Sequence, residues 1–233
     1  MTDKALAQAD PEWLALIRSA REWLSGPHGQ LLLEDEQRVL EEELGRFFGG
    51  YLVHYGPGAD APPSAPQVQR NVRLGAPLPG VEIVCEEQAW ALSEHAADVV
   101  VMQHGLDFCL SPHGLLREAA SSVRPGGHLL IIGINPWSPW GLRHVFAHDA
   151  LRQARCALLC LDEPAPPWLT WLKLGSGAIA HAASLQIDVH REGWIRSPDG
   201  ALTGYQAQAR LLKTRWGKHA GQTCALSMRL HAP

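Results

Sequence analysis

Residues 97–135 restrict the fold of this chain more than any other stretch. ADVVVMQ, residues 97–103, is an apolar run of strand length, the pattern of a parallel strand covered on both faces. Ser111 followed by Pro112 marks a helix start, and Leu115, Leu116, Ala119, Ala120 and Val123 then form one apolar helical face. Pro125-Gly126-Gly127 stops that helix, and HLLIIGI makes a second buried strand. Strand, helix, turn and strand make a βαβ unit, whose two strands lie parallel in one sheet through a right-handed crossover.

The flanking segments extend this core in both directions. PEWLALIRSAREWL places Trp13, Leu14, Ile17, Ala20 and Leu24 at helical spacing, with Asp10 as N-cap and Pro11 in the first turn. A second helix is expected over 34–47, its acidic run EDEQRVLEEE forming a solvated face. These helices form a preface over residues 1–48. At Gly49-Gly50 the period changes, and Tyr51 to Tyr55 reads as a buried strand entering a glycine turn, with VRLG and VEIVC as two further strands. Little helical pattern stands between 60 and 80. The core is expected over 49–160, and a divergent C-terminal part over 161–233, in which TGYQAQARLLKT has the pattern of a strand. The expected architecture is α/β: a Rossmann-like, doubly wound, mostly parallel sheet with helices on both faces.

Residues 86–140 resemble the SAM-dependent (S-adenosylmethionine-dependent) methyltransferases of class I, within the broad "type 11" group. The resemblance rests on EEQAWALSEHAADVVVMQHGLDF and LLREAASSVRPGGHLLIIGINPWSPWGLR, the tail of which is similar to an uncharacterised bacterial subgroup. It implies SAM as cofactor, held beyond the carboxyl ends of the strands at the topological switch point. His54-Tyr55-Gly56-Pro57-Gly58 stands where the family has an acidic-x-Gly-x-Gly turn, with Gly56 and Gly58 at the close-approach positions and His54 replacing the carboxylate. Glu86 falls where the family places its adenine-side acid, Glu87 stands beside it, and Trp90 supplies an aromatic wall. Gln103 and His104 end the fourth strand and face the cleft. His104 has the chemistry of a general base, or packs against Asp107 for structural reasons. Asn135 and Trp137 form part of an expected substrate wall, and Arg143 suits an anionic substrate group. After about residue 157 the resemblance fades, which leaves a divergent substrate lid or a shifted reading frame as explanations.

Composition narrows the function classes. A net charge of -4 gives no footing for nucleic acid or membrane binding, and 46% hydrophobic with 19% charged residues is ordinary for a folded domain. MTDKALAQADPEW does not read as a signal peptide, and the five cysteines form no CxxC pair, so a cytoplasmic protein with reduced thiols is expected. His144 and His148 have zinc-compatible spacing but no third ligand in sequence, so no metal is expected. The expected function is methyl transfer to a small-molecule acceptor. The alternative is an inactive binding or regulatory module of the same fold that has lost SAM.

Overall fold

The computed structural model describes residues 9–58 and 62–134 and, in the C-terminal part, the strands at 188–189, 195–196, 206–213 and 223–231. Helices α1 (Pro11–Ser25) and α2 (Pro27–Leu44) lead into strands β1 (Gly49–Tyr55), β2 (Val68–Gly75), β3 (Ile83–Val84) and β4 (Ala97–Gln103). Helix α3 (Pro112–Ser122), β5 (Val123–Ile134), β6 (Asp188–Val189), β7 (Ile195–Arg196), β8 (Gln206–Lys213) and β9 (Thr223–His231) follow. Seven strands form one sheet in the order β3-β2-β1-β4-β5-β9-β8. The pairs from β3 to β5 are parallel, and β9 runs antiparallel to both β5 and β8. This is a Rossmann-like, mostly parallel sheet, and its strand order reverses between β1 and β4.

Both faces of a parallel sheet must be covered, and the alternation along each strand decides what covers them. Val53, Tyr55, Val100, Met102, Leu129 and Ile131 face α1 and α3, together with Trp13, Leu14, Ile17, Leu115 and Ala119. Leu52, Val99, Val101, Leu130 and Ile132 face the other way, onto Leu40 and Leu44 of α2 and Phe47. The link from β1 to β2 spans residues 56–67 and holds no helix among its described residues. Helix α2, which precedes β1 in the chain, covers the face a helix in that link would otherwise cover.

Local chemistry sets the element ends. The Asp10 carboxylate accepts from the Glu12 and Trp13 amides and starts α1. Asp98 ties β4 to β1 by accepting from Gly50 N at 2.7 Å and Tyr51 N at 2.9 Å, and it pairs with Arg124 on β5. A Cβ at Gly49 would lie 2.3 Å from the Asp98 carboxyl carbon, so this junction requires glycine. The Pro125-Gly126-Gly127 turn lies within β5 as an irregularity. Val123 pairs with Ala97 and His128 with Val99, and the residues between loop out through Gly126 at φ +80°. β5 therefore begins directly after α3, earlier than the sequence pattern suggests.

The acidic face of α2 is only partly solvated. Glu36 and Glu43 are buried, Glu36 completely, which corrects the expectation for that run. α2 also begins seven residues before the expected start at 34, because Gly26-Pro27 turns the chain straight out of α1.

Candidate functional site

Where the order of an open α/β sheet reverses, the two crossover connections diverge and leave a crevice at the carboxyl ends of the strands. Here that point lies between Tyr55 of β1 and Gln103 of β4. A Cβ at Gly56 would stand 2.1 Å from the Gln103 carbonyl oxygen, so only glycine lets the turn after β1 cross this close to β4. The turn is held from above by Arg21 of α1. Its guanidinium donates to the carbonyls of Pro57 at 3.1 Å, Gly58 at 3.3 Å and Pro79 at 2.9 Å.

Beside the turn opens a small cleft lined by His54, Gly58, Arg73, Gln103 and, from α2, Gln37 and Leu40. His54 and Arg73 are register partners on β1 and β2, and both are buried. Burial, and next the Arg73 guanidinium, hold the His54 pKa down to about 3 against the raising effect of its Gln103 hydrogen bond, so the imidazole is neutral.

A chain of contacts runs from His54 into the core. His54 Nε2 lies 3.1 Å from Gln103 Oε1, and Gln103 Nε2 donates to Glu36 Oε2 at 2.7 Å. Glu36 Oε1 pairs with His104 Nε2 at 2.9 Å, and His104 Nδ1 contacts Asp107 Oδ2 at 2.8 Å. Glu36, His104 and Asp107 are all inaccessible to solvent. Burial opposes charge on His104, but the Glu36 carboxylate and the hydrogen bonds that the ring donates to Asp107 and Glu36 prevail and push its pKa up to about 10. The ring is therefore an imidazolium between two carboxylates. Its backbone is left-handed at φ +56°, a strained conformation for histidine, and its amide donates to the Ile132 carbonyl at 2.8 Å.

The acidic pair after β3 divides by environment. Glu86 is exposed, and its main chain forms a bridge with Ala89. Glu87 is buried and accepts from the amides of Leu110, at 2.7 Å, and Ser111, where α3 begins. Trp90 stacks on Tyr55 with ring centres 5.1 Å apart, and its amide donates to Glu118 of α3. The strand ends bring together His54, Gly56, Gly58 and Gln103. His104 lies one residue past Gln103 but within the core, and Asn135, Trp137 and Arg143 lie outside the described residues.

Three participants escape the pattern reading: Glu36, Arg73 and Arg21. Glu36 had a signal, because it stands in the apolar stripe Leu32, Glu36, Leu40, Leu44 at fourfold spacing. Arg73 sits in β2 among buried residues, where a lone charge marks a paired or functional group. Nothing in the spacing of Arg21 separates it from a surface arginine.

Residues 60–131 match the family model described as "Methyltransferase domain". The uncharacterized protein YafS of Escherichia coli strain K12 is 30% identical over 169 residues, which cover 71% of this chain and 68% of YafS. The chain belongs to the class I, SAM-dependent methyltransferases. Two solved methyltransferases share its fold at low sequence identity. A SAM-dependent methyltransferase of Thermotoga maritima, described as a possible histamine N-methyltransferase, aligns with a TM-score of 0.53 at 12% identity, covering 94% of this chain and 99% of its own. The N-methyltransferase NodS of Bradyrhizobium japonicum WM9, in complex with S-adenosyl-L-homocysteine, aligns at 0.51 with 11% identity, covering 95% and 99%. Against the methyltransferase pattern, this chain departs at the acid of the first turn, where it carries His54, and, among the described residues, at the helix after that turn.

Proposed function

We propose that the cleft at the ends of β1, β2 and β4 binds SAM and that the enzyme transfers its methyl group to a small-molecule acceptor. The observation that carries this reading is a buried polar atom left over at the switch point: His54 Nδ1 has no hydrogen-bond partner, and its ring lines the cleft. A zwitterionic nucleoside fits such a donor set. His54 and Gln103 suit the ammonium of its amino-acid end, Arg73 suits the carboxylate, and the glycines at 56 and 58 allow close approach. Exposed Glu86 suits the adenine amine, and Glu87 secures that loop to α3. When bound, SAM supplies an electrophilic methyl group on a sulfonium centre, and transfer needs alignment and exclusion of water more than acid–base assistance.

With both ring nitrogens engaged by carboxylates, His104 serves in this reading to position Gln103 and does not act as the base. Asn135, Trp137 and Arg143 remain proposed acceptor contacts. A small acceptor in the cytoplasm suits the acidic net charge of -4 and the buried thiols of Cys85 and Cys109, neither of which is in a disulfide. None of the described helices is long and apolar enough to cross a membrane.

Isothermal titration with SAM and with S-adenosylhomocysteine tests the reading, with Glu86→Ala as control. Micromolar binding is expected, weakened about tenfold by the substitution. No binding at millimolar ligand by folded protein overturns it in favour of a regulatory module of the same fold. The observation on that side is that no helix follows the first turn among the described residues, where a helix N-terminus would otherwise face the ligand.

A further inference from the structure

We propose that Glu36 is a positioning residue of this cleft: by holding the Gln103 carboxamide it fixes His54 as the Nε2–H tautomer and leaves Nδ1 as acceptor for the cofactor's ammonium group. The inference rests on the SAM reading above and adds a residue from the N-terminal helices to the site.

The argument is one of donors and acceptors. An ionised carboxylate only accepts. Glu36 Oε2 lies 2.7 Å from the Gln103 carboxamide, so the NH2 of that amide faces Glu36. Its oxygen then faces His54 Nε2 at 3.1 Å, and an oxygen acceptor requires that Nε2 carry the hydrogen. A neutral imidazole has one N–H, so Nδ1 presents a lone pair. That nitrogen is buried without a hydrogen-bond partner. His54 is neutral on independent grounds, since burial and Arg73 both oppose its protonation.

Glu36 is itself fixed from two sides. Its other oxygen pairs with His104 at 2.9 Å, and its neighbours in the apolar stripe of α2, Leu32, Leu40 and Leu44, are buried. A carboxylate on α2 thus determines, through one amide, which nitrogen of a β1 histidine carries the proton. The lone pair stands where the family carries a carboxylate and does part of the same work without a charge.

The test uses the full-length chain with 15N-labelled histidine. Long-range 1H–15N spectra identify which nitrogen of His54 carries the hydrogen, and the expected answer is Nε2. In Glu36→Gln the new amide offers a hydrogen to Gln103, the Gln103 carboxamide turns over, and the proton on His54 moves to Nδ1 or divides between the two. Affinity for SAM is then expected to fall about tenfold while affinity for adenosine, which lacks the ammonium group, stays unchanged. Gln103→Met keeps the Glu36–His104 pair and serves if Glu36→Gln fails to fold; its readout is the His54 tautomer alone, which is expected to divide between the two nitrogens, because Gln103 itself stands in the proposed ammonium site. A wild-type spectrum with the hydrogen on Nδ1 overturns the proposal. So does a variant that leaves both the tautomer and the SAM-to-adenosine ratio unchanged. A folded wild-type protein that binds no SAM overturns the cofactor reading and the role of the ammonium group, while the spectrum still decides whether Glu36 sets the tautomer.

Discussion

His104 carries its positive charge where water does not reach, and two carboxylates make that possible. Its folded pKa, about 10, lies above the unfolded value near 6.5, so the folded chain keeps a proton that the unfolded chain releases. The resulting stabilisation is full below about pH 6.5 and is lost as pH rises through about 10. Urea denaturation near pH 6 and near pH 9 should show the decline, and a flat profile would contradict the pairing. His104→Ala leaves Glu36 and Asp107 buried without their cation and should cost about 3–5 kcal/mol by the same measurement. Sequence made part of this legible. The packing of His104 against Asp107 is one of the two readings the sequence offers, and 2.8 Å separates the two side chains. The partner on α2 did not show, because an acidic residue inside an acidic run reads as solvated until the apolar stripe through it is counted.

At the level of elements, Glu87 and Gly56 carry the sharpest expectations. The Glu87 carboxylate takes the Leu110 and Ser111 amides, while the Ser111 side chain makes no capping bond of its own. Glu87→Ala should therefore lower stability by about 1–2 kcal/mol, read as a fall in thermal midpoint. Gly56→Ala forces a methyl group against the Gln103 carbonyl oxygen, 2.1 Å from the ideal Cβ position. It should lower both the thermal midpoint and the affinity for SAM, the latter by about tenfold or more. The elements themselves were largely visible beforehand. Asp10-Pro11 and Ser111-Pro112 announce α1 and α3, and β1, β4 and β8 coincide with apolar or alternating runs. The start of β5 was hidden because a Pro-Gly-Gly run looks the same in sequence whether it ends a helix or loops out of a strand. The loop between β3 and β4 gave the position of Glu86 and Glu87, but not the opposite fates of two adjacent carboxylates, which depend on the start of α3.

Across the whole molecule, the N-terminal helices belong to the core and are not an appendage to it. α2 supplies Leu40 and Leu44 to one face of the sheet, and α1 supplies Trp13 and Ile17 to the other. A chain lacking residues 1–48 should expose Leu52, Val99, Val101, Leu130 and Ile132, and is expected to aggregate or bind a hydrophobic dye on expression. Leu40→Ala in the full chain should cost about 2–5 kcal/mol in urea denaturation. The fold class was legible from the βαβ unit, since few architectures accommodate two such runs. The closing strands were less so. β8 and β9 complete the sheet beyond the point where the resemblance fades. β9 takes its register from β5, a partner about ninety to a hundred residues distant that no local period reveals, and β8 takes its own from β9.

The position of α2 ahead of β1 also sets an order of events during synthesis. In a chain whose covering helix lies between two adjacent strands, that helix finds its sheet within a few dozen residues. Here Leu40 and Leu44 leave the ribosome long before Val99 and Ile132, the residues that bury them. At about 5–20 residues per second, the amphipathic helix waits several seconds with its apolar stripe and Glu36 uncovered. The nascent chain thus carries an uncovered amphipathic helix until β4 and β5 have emerged to bury it.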